Sequence, residues 1–298
     1  MLDIHRLTLL REVKLHGSMS AAARNLSYSH SAISQQLALL ERETGVRLLE
    51  KTGRNVQLTP AGLELVRNTE AILSAIERAE SDLATSHRRV QGKVTVAAFA
   101  SISRAVLPTA LTLLAKDHPN LQVNIHRHEP EEAVLRLVSR QVDAVITDSF
   151  PGTAAGGHPG LHTSVLGTDA MRGYMPRGME PKDTSAIAAV PWAMEPPESA
   201  AAHWALRVCR EVGFEPQVAH VSSDLLFHLR LVERGLAAAF LPDMLMREMQ
   251  SELQPSHWLP VDQQRTILFV ARSGAEKNLA LNAVRQAVLH ALKLPENM

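Results

Sequence analysis

Ser18-Met-Ser-Ala-Ala-Ala-Arg-Asn-Leu26, followed at once by Ser27-Tyr-Ser-His-Ser-Ala-Ile-Ser-Gln-Gln-Leu37, is the stretch that decides the fold. It reads as two short helices joined by a tight turn. In the second helix Ile33, Leu37 and Leu40 fall at i, i+4 and i+7 and make one apolar stripe. Ser29 stands where an N-cap belongs, its hydroxyl free to accept from an orphan backbone N–H. His30, Ser31, Ser34, Gln35 and Ala38 occupy a different sector of the helix. The spacing therefore presents Ser29, His30, Ser31, Ser34 and Gln35 outward near the N-terminal turns. Helix-turn-helix proteins read base edges with that part of the recognition helix. Short side chains let the backbone approach the groove, and Gln can pair with adenine through two hydrogen bonds.

The flanking sequence supports a winged domain. Ala21, Ala22 and Ala23 allow a close helix crossing, and an earlier amphipathic segment brings Leu7, Leu10 and Val13. Val46–Leu49 and Val56–Leu58 read as short strands around a turn at Gly53, and Arg54 at that turn can reach phosphate or the minor groove. An amphipathic helix pair alone is equally a small bundle. The ordered set of helix, Ala-rich helix, Ser-rich turn, helix and basic wing within about sixty residues is far more specific.

Formal net charge over the 298 residues is zero, which is informative only when divided. Residues 1–62 carry eight Lys/Arg against five Asp/Glu, and residues 91–298 carry nineteen against twenty-one. Phosphate neutralisation supplies most nonspecific DNA affinity, so one such domain alone binds weakly. Two held together gain through effective concentration. A candidate for holding them follows: Leu65, Thr69, Ile72, Ile76, Ala79 and Leu83 are spaced as a heptad seam. Fewer than three heptads are covered, so a helix packed on its own domain is an open alternative. Thr59-Pro60 fits a cap with Pro in the first turn, and His87–Gly92 reads as a polar hinge.

From Lys93 strands and helices alternate, which implies parallel pairing with helical crossovers. Strands are expected at Val94–Phe99, Leu121–Arg127, Asp143–Thr147, Leu161–Leu166, Arg172–Met175, Ala188–Trp192, Gln217–Val221, Ala237–Leu241 and Gln264–Ala271. Helices are expected at Ile102–Asp117, Glu131–Arg140, Ser199–Val212, Ser223–Arg234 and Asn278–Leu292. Two α/β subdomains joined by two crossings enclose a cleft, and ligands in such sheets sit at the carboxyl ends of strands. That picks out Ala98, Phe99, Ala100, Ser101, Glu129, Thr147, Asp148, Ser222 and Ser223 for a small-molecule effector of unknown identity. Ser101, Ser103, Ser222 and Ser223 equally suit helix caps, and Phe99 equally suits packing. An Asp148 facing the cleft favours a cationic or hydroxylated ligand.

Other chemistry finds little purchase. Cys209 is the single cysteine, so an internal disulfide switch is excluded. His126 and His128 alternate on one strand face without a third ligand nearby, which reads as strand surface and not a metal site. The chain holds no Walker loop, GxGxxG, GxSxG or HExxH, so no catalytic residue, metal or cofactor is expected. Gly152–Gly157 reads as a surface loop. No apolar run spans a bilayer, and the start lacks a leader pattern, so a cytoplasmic protein without membrane partners is expected.

The N-terminal segment resembles the LysR-type transcriptional regulators. The resemblance rests on Leu7, Gly17-Ser18, Ala21-Ala22-Ala23, Leu26, Ser29, Ser31-Ala-Ile-Ser34, Gln36-Leu37, Leu40-Glu41, Gly45-Val-Arg-Leu48 and Leu58-Thr-Pro-Ala-Gly62, and it continues to the C-terminus. It departs at His30, where the family usually has Gln, and at Gln35, where it usually has Arg or Lys. The reading face thus lacks one formal charge; His30 serves as a neutral hydrogen bonder or gains charge in mild acid. Phe99 replaces a position that is often small and polar in the family.

The resemblance implies an α/β chain organised as follows. A winged helix-turn-helix occupies residues 1–58, a linker helix for dimerisation 59–88 and a hinge 89–91. A two-subdomain, periplasmic-binding-protein-like (Rossmann-like) effector domain occupies 92–298, with subdomain I at about 92–160 and 267–298 and subdomain II at about 161–266. It further implies a homodimer paired into a homotetramer on double-stranded promoter DNA, with RNA polymerase as a further partner. A two-lobed solute-binding protein leaves residues 1–62 without a use. An enzyme on this scaffold needs an acid, base or nucleophile that the sequence does not display.

Overall fold

A computed structural model describes residues 1–26, 28–52, 55–86, 90–153, 160–179, 181–260 and 262–293. Ser27 of the inter-helix turn, Gly53 and Arg54 of the wing, much of the hinge segment and residues 154–159 of the Gly-rich loop lie outside them. The chain divides into two compact units, Met1–Leu83 and Ala84–Met298.

In the first unit, α1 (Ile4–His16), α2 (Met19–Leu26) and α3 (His30–Thr44) precede an antiparallel ribbon of β1 (Leu49–Thr52) and β2 (Asn55–Leu58). Then comes α4 (Pro60–Ser86). The helix boundaries have local causes. Asp3 accepts from the backbone N–H groups of His5 and Arg6 at the start of α1. Gly17 and Gly45 end α1 and α3 at φ +71° and +68°, the left-handed conformation glycine adopts without a Cβ penalty. Leu7, Leu10, Val13, Ala22, Ile33, Leu37 and Leu40 close the core between the three helices.

The first wing strand starts later than its apolar residues suggest, at Leu49 and not Val46. The Glu41 carboxylate accepts from the N–H groups of Leu48 and Leu49 at 2.8 and 3.0 Å. These bonds hold the preceding segment to α3, and pairing begins at Leu49↔Leu58.

Thr59 joins ribbon to helix: its Oγ1 accepts from Gly62 N at 3.1 Å and donates to Arg47 O at 2.8 Å. The seam along α4 divides. Leu65 and Ile72 are half-buried against the core of this unit, and Thr69 is fully buried with its hydroxyl donating to Leu65 O. Ile76 is half-buried, whereas Ala79 and Leu83 are exposed, Leu83 to 67%.

The second unit is built on one eight-stranded sheet of order β4-β3-β5-β10-β6-β9-β7-β8. In chain order its elements open with β3 (Gly92–Ala98), α5 (Ala100–Ala105), α6 (Leu107–Asp117), β4 (Leu121–Arg127), α7 (Pro130–Val138), β5 (Ala144–Ser149) and β6 (Leu161–Tyr174). They continue with α8 (Thr184–Ala188), β7 (Pro191–Met194), α9 (Ala200–Val212), β8 (Gln217–Val221) and α10 (Leu225–Glu233). They close with β9 (Ala238–Pro242), α11 (Asp243–Glu248), β10 (Gln264–Arg272) and α12 (Leu279–Lys293). β3 pairs in parallel with β4 and β5, and β7 in parallel with β8 and β9. The two halves are joined by β6 and β10, which pair antiparallel along their length.

Several elements correct the sequence reading. Leu161–Leu166 and Arg172–Met175 are not two strands: one strand, β6, runs to Tyr174, because β10 pairs with it from Leu161 to Ala170 through one irregularity at Ile267/Leu268 and β9 pairs with it from Met171 to Tyr174. The expected helix Ile102–Asp117 is two helices broken at Val106 (φ −120°). Pro108 then sits in the first turn of α6, where its missing N–H costs nothing. Ala188 ends a helix instead of opening a strand: Asp183 caps α8 by accepting from Ala186 N, and β7 begins only at Pro191. The short α11 gave no periodic signal in the sequence. Its first turn is fixed by a distant side chain, Asp169, which accepts from Met244 N at 3.0 Å.

Candidate functional site

Two places in the fold collect the sequence-predicted site residues. The first is the N-terminal half of α3. Ser29 Oγ accepts from Ala32 N at 3.1 Å and lies 3.0 Å from Ser31 Oγ. Ile33, Leu37 and Leu40 are at most 1% exposed, which fixes the rotation of the helix. Ser29, His30, Ser31 and Gln35 then face solvent, and Ser34 is half-buried at the edge of the same face. From below, Arg6 Nε donates to Gln36 Oε1 at 3.1 Å and its Nη1 pairs with Glu43, tying α1 to α3. The exposed face is thus a row of polar side chains, Ser29, His30, Ser31 and Gln35. Arg54 lies outside the described residues.

The second place is a cleft of about 770 Å³ in the other unit, within the size range of small-molecule sites. It gathers the segments that follow β3, β4 and β7 and the end of β5, with β6 and β10 crossing behind. Phe99, Ala100, Ser101, Glu129, Thr147, Asp148 and Ser223 all line it. Two predicted residues do not. Ala98 is fully buried, because it is the last residue of β3 and not part of the segment that follows the strand. Ser222 is turned into the chain, its Oγ accepting from Asp224 N at 3.0 Å. None of the four candidate serines caps a helix. Asp224 caps α10, Ser103 donates back to Phe99 O at 2.8 Å, and Ser101 has another partner.

That partner is Arg265, which sequence reasoning missed and which is only 2% exposed. Its Nε and Nη2 donate to Asp169 Oδ2 at 3.1 and 2.8 Å, its Nη1 to Asp148 Oδ2 at 3.0 Å, and its Nη2 also to Ser101 Oγ at 2.9 Å. Its Cζ lies 5.1 Å from the centroid of the Phe99 ring, within reach of a cation–π contact. Burial raises the Asp148 carboxyl above its ordinary range, and the Arg265 charge opposes that rise. Asp148 is therefore an internal counter-ion before it is a ligand group. Four further charged groups unforeseen from the sequence line the cleft: Arg104, Glu131, Glu195 and Glu198. Arg265 is 117 residues from Asp148 and 164 from Ser101, so no local spacing marks the cluster.

Cys209 packs among Trp192, Trp204 and Phe240 with no exposed surface. Burial pushes its thiol up to about 12, and the thiolate is the reactive species. The thiol reagent DTNB should therefore leave the native protein unlabelled and react fully after denaturation. Rapid labelling of the native protein would contradict this packing.

Comparison with known proteins bears on both places. Residues 4–63 match the family described as "Bacterial regulatory helix-turn-helix protein, lysR family", and residues 87–293 match "LysR substrate binding domain". The transcriptional dual regulator GltC of Bacillus subtilis (strain 168) is 23% identical over 252 residues, 83% of each chain. A full-length OxyR variant from Pseudomonas aeruginosa superposes with a TM-score of 0.63 at 17% identity, over 97% of this chain and 95% of that one. CbnR, solved full-length with its target DNA, superposes with a TM-score of 0.53 at 22% identity, over 98% and 100%. These structures share the fold, and the two family matches together take in the α3 face and the cleft alike. The chain belongs to the LysR family of bacterial transcriptional regulators, with a helix-turn-helix DNA-binding domain and an effector-binding domain.

Proposed function

We propose that α3 is the base-reading helix of this regulator and that the cleft holds the small molecule that controls it. The observation that carries the first half is the rotation of α3. Its apolar stripe is fully buried, so Ser29, His30, Ser31 and Gln35 stand outward at the helix end that enters a major groove. Ser34 flanks them, and Arg54 of the wing supplies a backbone contact. Solution of the CbnR fold with target DNA supports this use.

The protein acts as a homotetramer, a dimer of dimers, paired through the α4 seam. The exposed Ala79 and Leu83 at the far end of that seam favour this. The cleft ligand must bind one arrangement of subunits better than another, since only differential affinity shifts such an equilibrium. The protein binds its effector without transforming it, works in the cytoplasm and communicates with RNA polymerase. Among the described residues no helix is long and apolar enough to cross a membrane.

OxyR from Corynebacterium glutamicum is known in an "H2O2-bound" form. Peroxide chemistry at a thiol does not suit this chain, whose single cysteine, Cys209, is buried with its thiol pushed up to about 12.

A gel shift of the purified protein with DNA flanking its own coding sequence tests the reading. A sequence-specific, salt-sensitive shift is expected; its absence would count against α3 as a reading helix.

A further inference from the structure

The cleft wall carries more acid than base. Glu129, Glu131, Asp148, Glu195 and Glu198 line it, against Arg104 and Arg265. Both cations are ion-paired, although the buried Arg104 Nη2 has no hydrogen-bond partner among the described residues. Arg265 is held by Asp148 and Asp169, and Arg104 Nε donates to the two oxygens of Glu248 at 3.0 and 3.3 Å. Glu129 is met by Arg127 at 3.1 Å.

Glu195 is different. It follows β7 directly, and protein surrounds its carboxyl on all but the cleft side. No hydrogen bond or ion pair among the described residues reaches that carboxyl. Behind it lies a second cavity of about 20 Å³ that it shares with His228, room for one water. The Ser222 backbone holds the imidazole of His228, whose Nε2 is buried and unpartnered. The rest of the cleft wall mixes apolar side chains, among them Phe99, Leu225 and Val270, with hydroxyls such as Ser149, Thr163 and Ser199.

We infer that the cleft takes a ligand with an ammonium group on an apolar body, the ammonium seated at Glu195. A carboxylate ligand enters among five acids whose cations are already paired. A wholly apolar ligand covers the half-buried carboxyl and leaves it without a partner, which is costly. An ammonium on Glu195 relieves both. The inference rests on the cleft being the effector site.

Proton traffic follows from it. Burial, and next the charge of Asp148, push Glu195 up to about 8. The groups facing it are Asp148, Arg265, Glu129 and Glu131, with His228 behind; burial pushes His228 down to about 4 and so keeps it neutral. At neutral pH Glu195 is thus protonated in the empty cleft. An arriving ammonium favours the carboxylate, and the proton leaves to buffer.

Calorimetric titration of the full chain with phenethylamine and cadaverine, beside their matched acids phenylpropanoate and pimelate, tests this. At least one amine should bind tenfold or more tightly than its matched acid. Binding at neutral pH should release a proton to buffer, read from buffers of different ionisation enthalpy. Glu195→Gln should weaken amine binding tenfold or more and abolish the proton release, while its tryptophan fluorescence matches the parent protein.

Binding of the acids in place of the amines would overturn the inference and leave the cleft as the effector site. Binding of no amine, by protein that still shifts its DNA, would overturn it and leave the regulator reading intact. Amine binding untouched by Glu195→Gln would overturn the placement.

Discussion

Arg265→Met should destabilise the effector domain by about 3–5 kcal/mol, the cost of removing one partner from a buried charge cluster. Methionine fills much of the same volume, so the loss is electrostatic. Asp148 and Asp169 lose their shared cation, and Ser101 loses its donor. The Asp169 bond to Met244 N and the backbone N–H that meets the Asp148 carboxyl persist. All three tryptophans, Trp192, Trp204 and Trp258, lie in this unit, so fluorescence-monitored urea unfolding reports on it alone.

The deficit should depend on pH in a definite direction. Asp148 is already raised by burial, and Arg265 is what opposes the rise. Without it the folded carboxyl titrates higher still. A carboxyl raised above its unfolded value destabilises the fold only above that unfolded value, about 4. The penalty should therefore be largest near neutrality and shrink as pH falls towards 4. A deficit that is flat across this range would point to packing and not to charge.

The second large effect is expected at the start of α4. Gly62→Ala should destabilise the DNA-binding unit by about 1–3 kcal/mol, the cost of overpacking a fitted contact. Helix propensity alone predicts the opposite sign, since Ala is favoured over Gly by about 1 kcal/mol in a helix interior. The geometry decides against propensity. A Cβ on Gly62 meets Leu48 O at 2.3 Å, and that oxygen is backbone. It cannot swing aside, because Thr59 N donates to it at 3.0 Å. Amide hydrogen exchange across residues 4–58 reads the result. Protection equal to or above that of the parent would mean that the helix start moves freely away from the wing.

What was legible in the sequence is what is local. Ile33, Leu37 and Leu40 reveal α3 because a helix repeats on the scale of its own turn, and Ser29 marks the start because a cap acts three residues ahead. The strand ends that form the cleft floor were legible for a similar reason: Phe99 and Thr147 follow apolar runs, and topology does the rest. The charge cluster was not. Arg265 is an ordinary residue at the edge of a strand until β10 crosses beside β5 and β6 and brings Asp148, Asp169 and Ser101 to it. Asp169 was hidden in a stretch that read as a gap between strands and is the middle of β6. Glu195 follows an apolar strand like many surface acids, and only the packing around it makes it unusual.

The α3 face invites one decisive measurement. Binding of the parent protein and Gln35→Ala should be compared on a specific DNA site and on a scrambled duplex, by fluorescence anisotropy across a salt series. Gln35 is exposed on the reading face and carries no charge. Loss of a bidentate contact to a base is worth about 1–3 kcal/mol, or roughly 5- to 150-fold. The specific site should weaken by that factor, the scrambled duplex should hardly change, and the salt slope should stay the same because no phosphate contact is lost. An unchanged ratio of specific to nonspecific affinity would contradict the assignment of this face as the one that reads DNA.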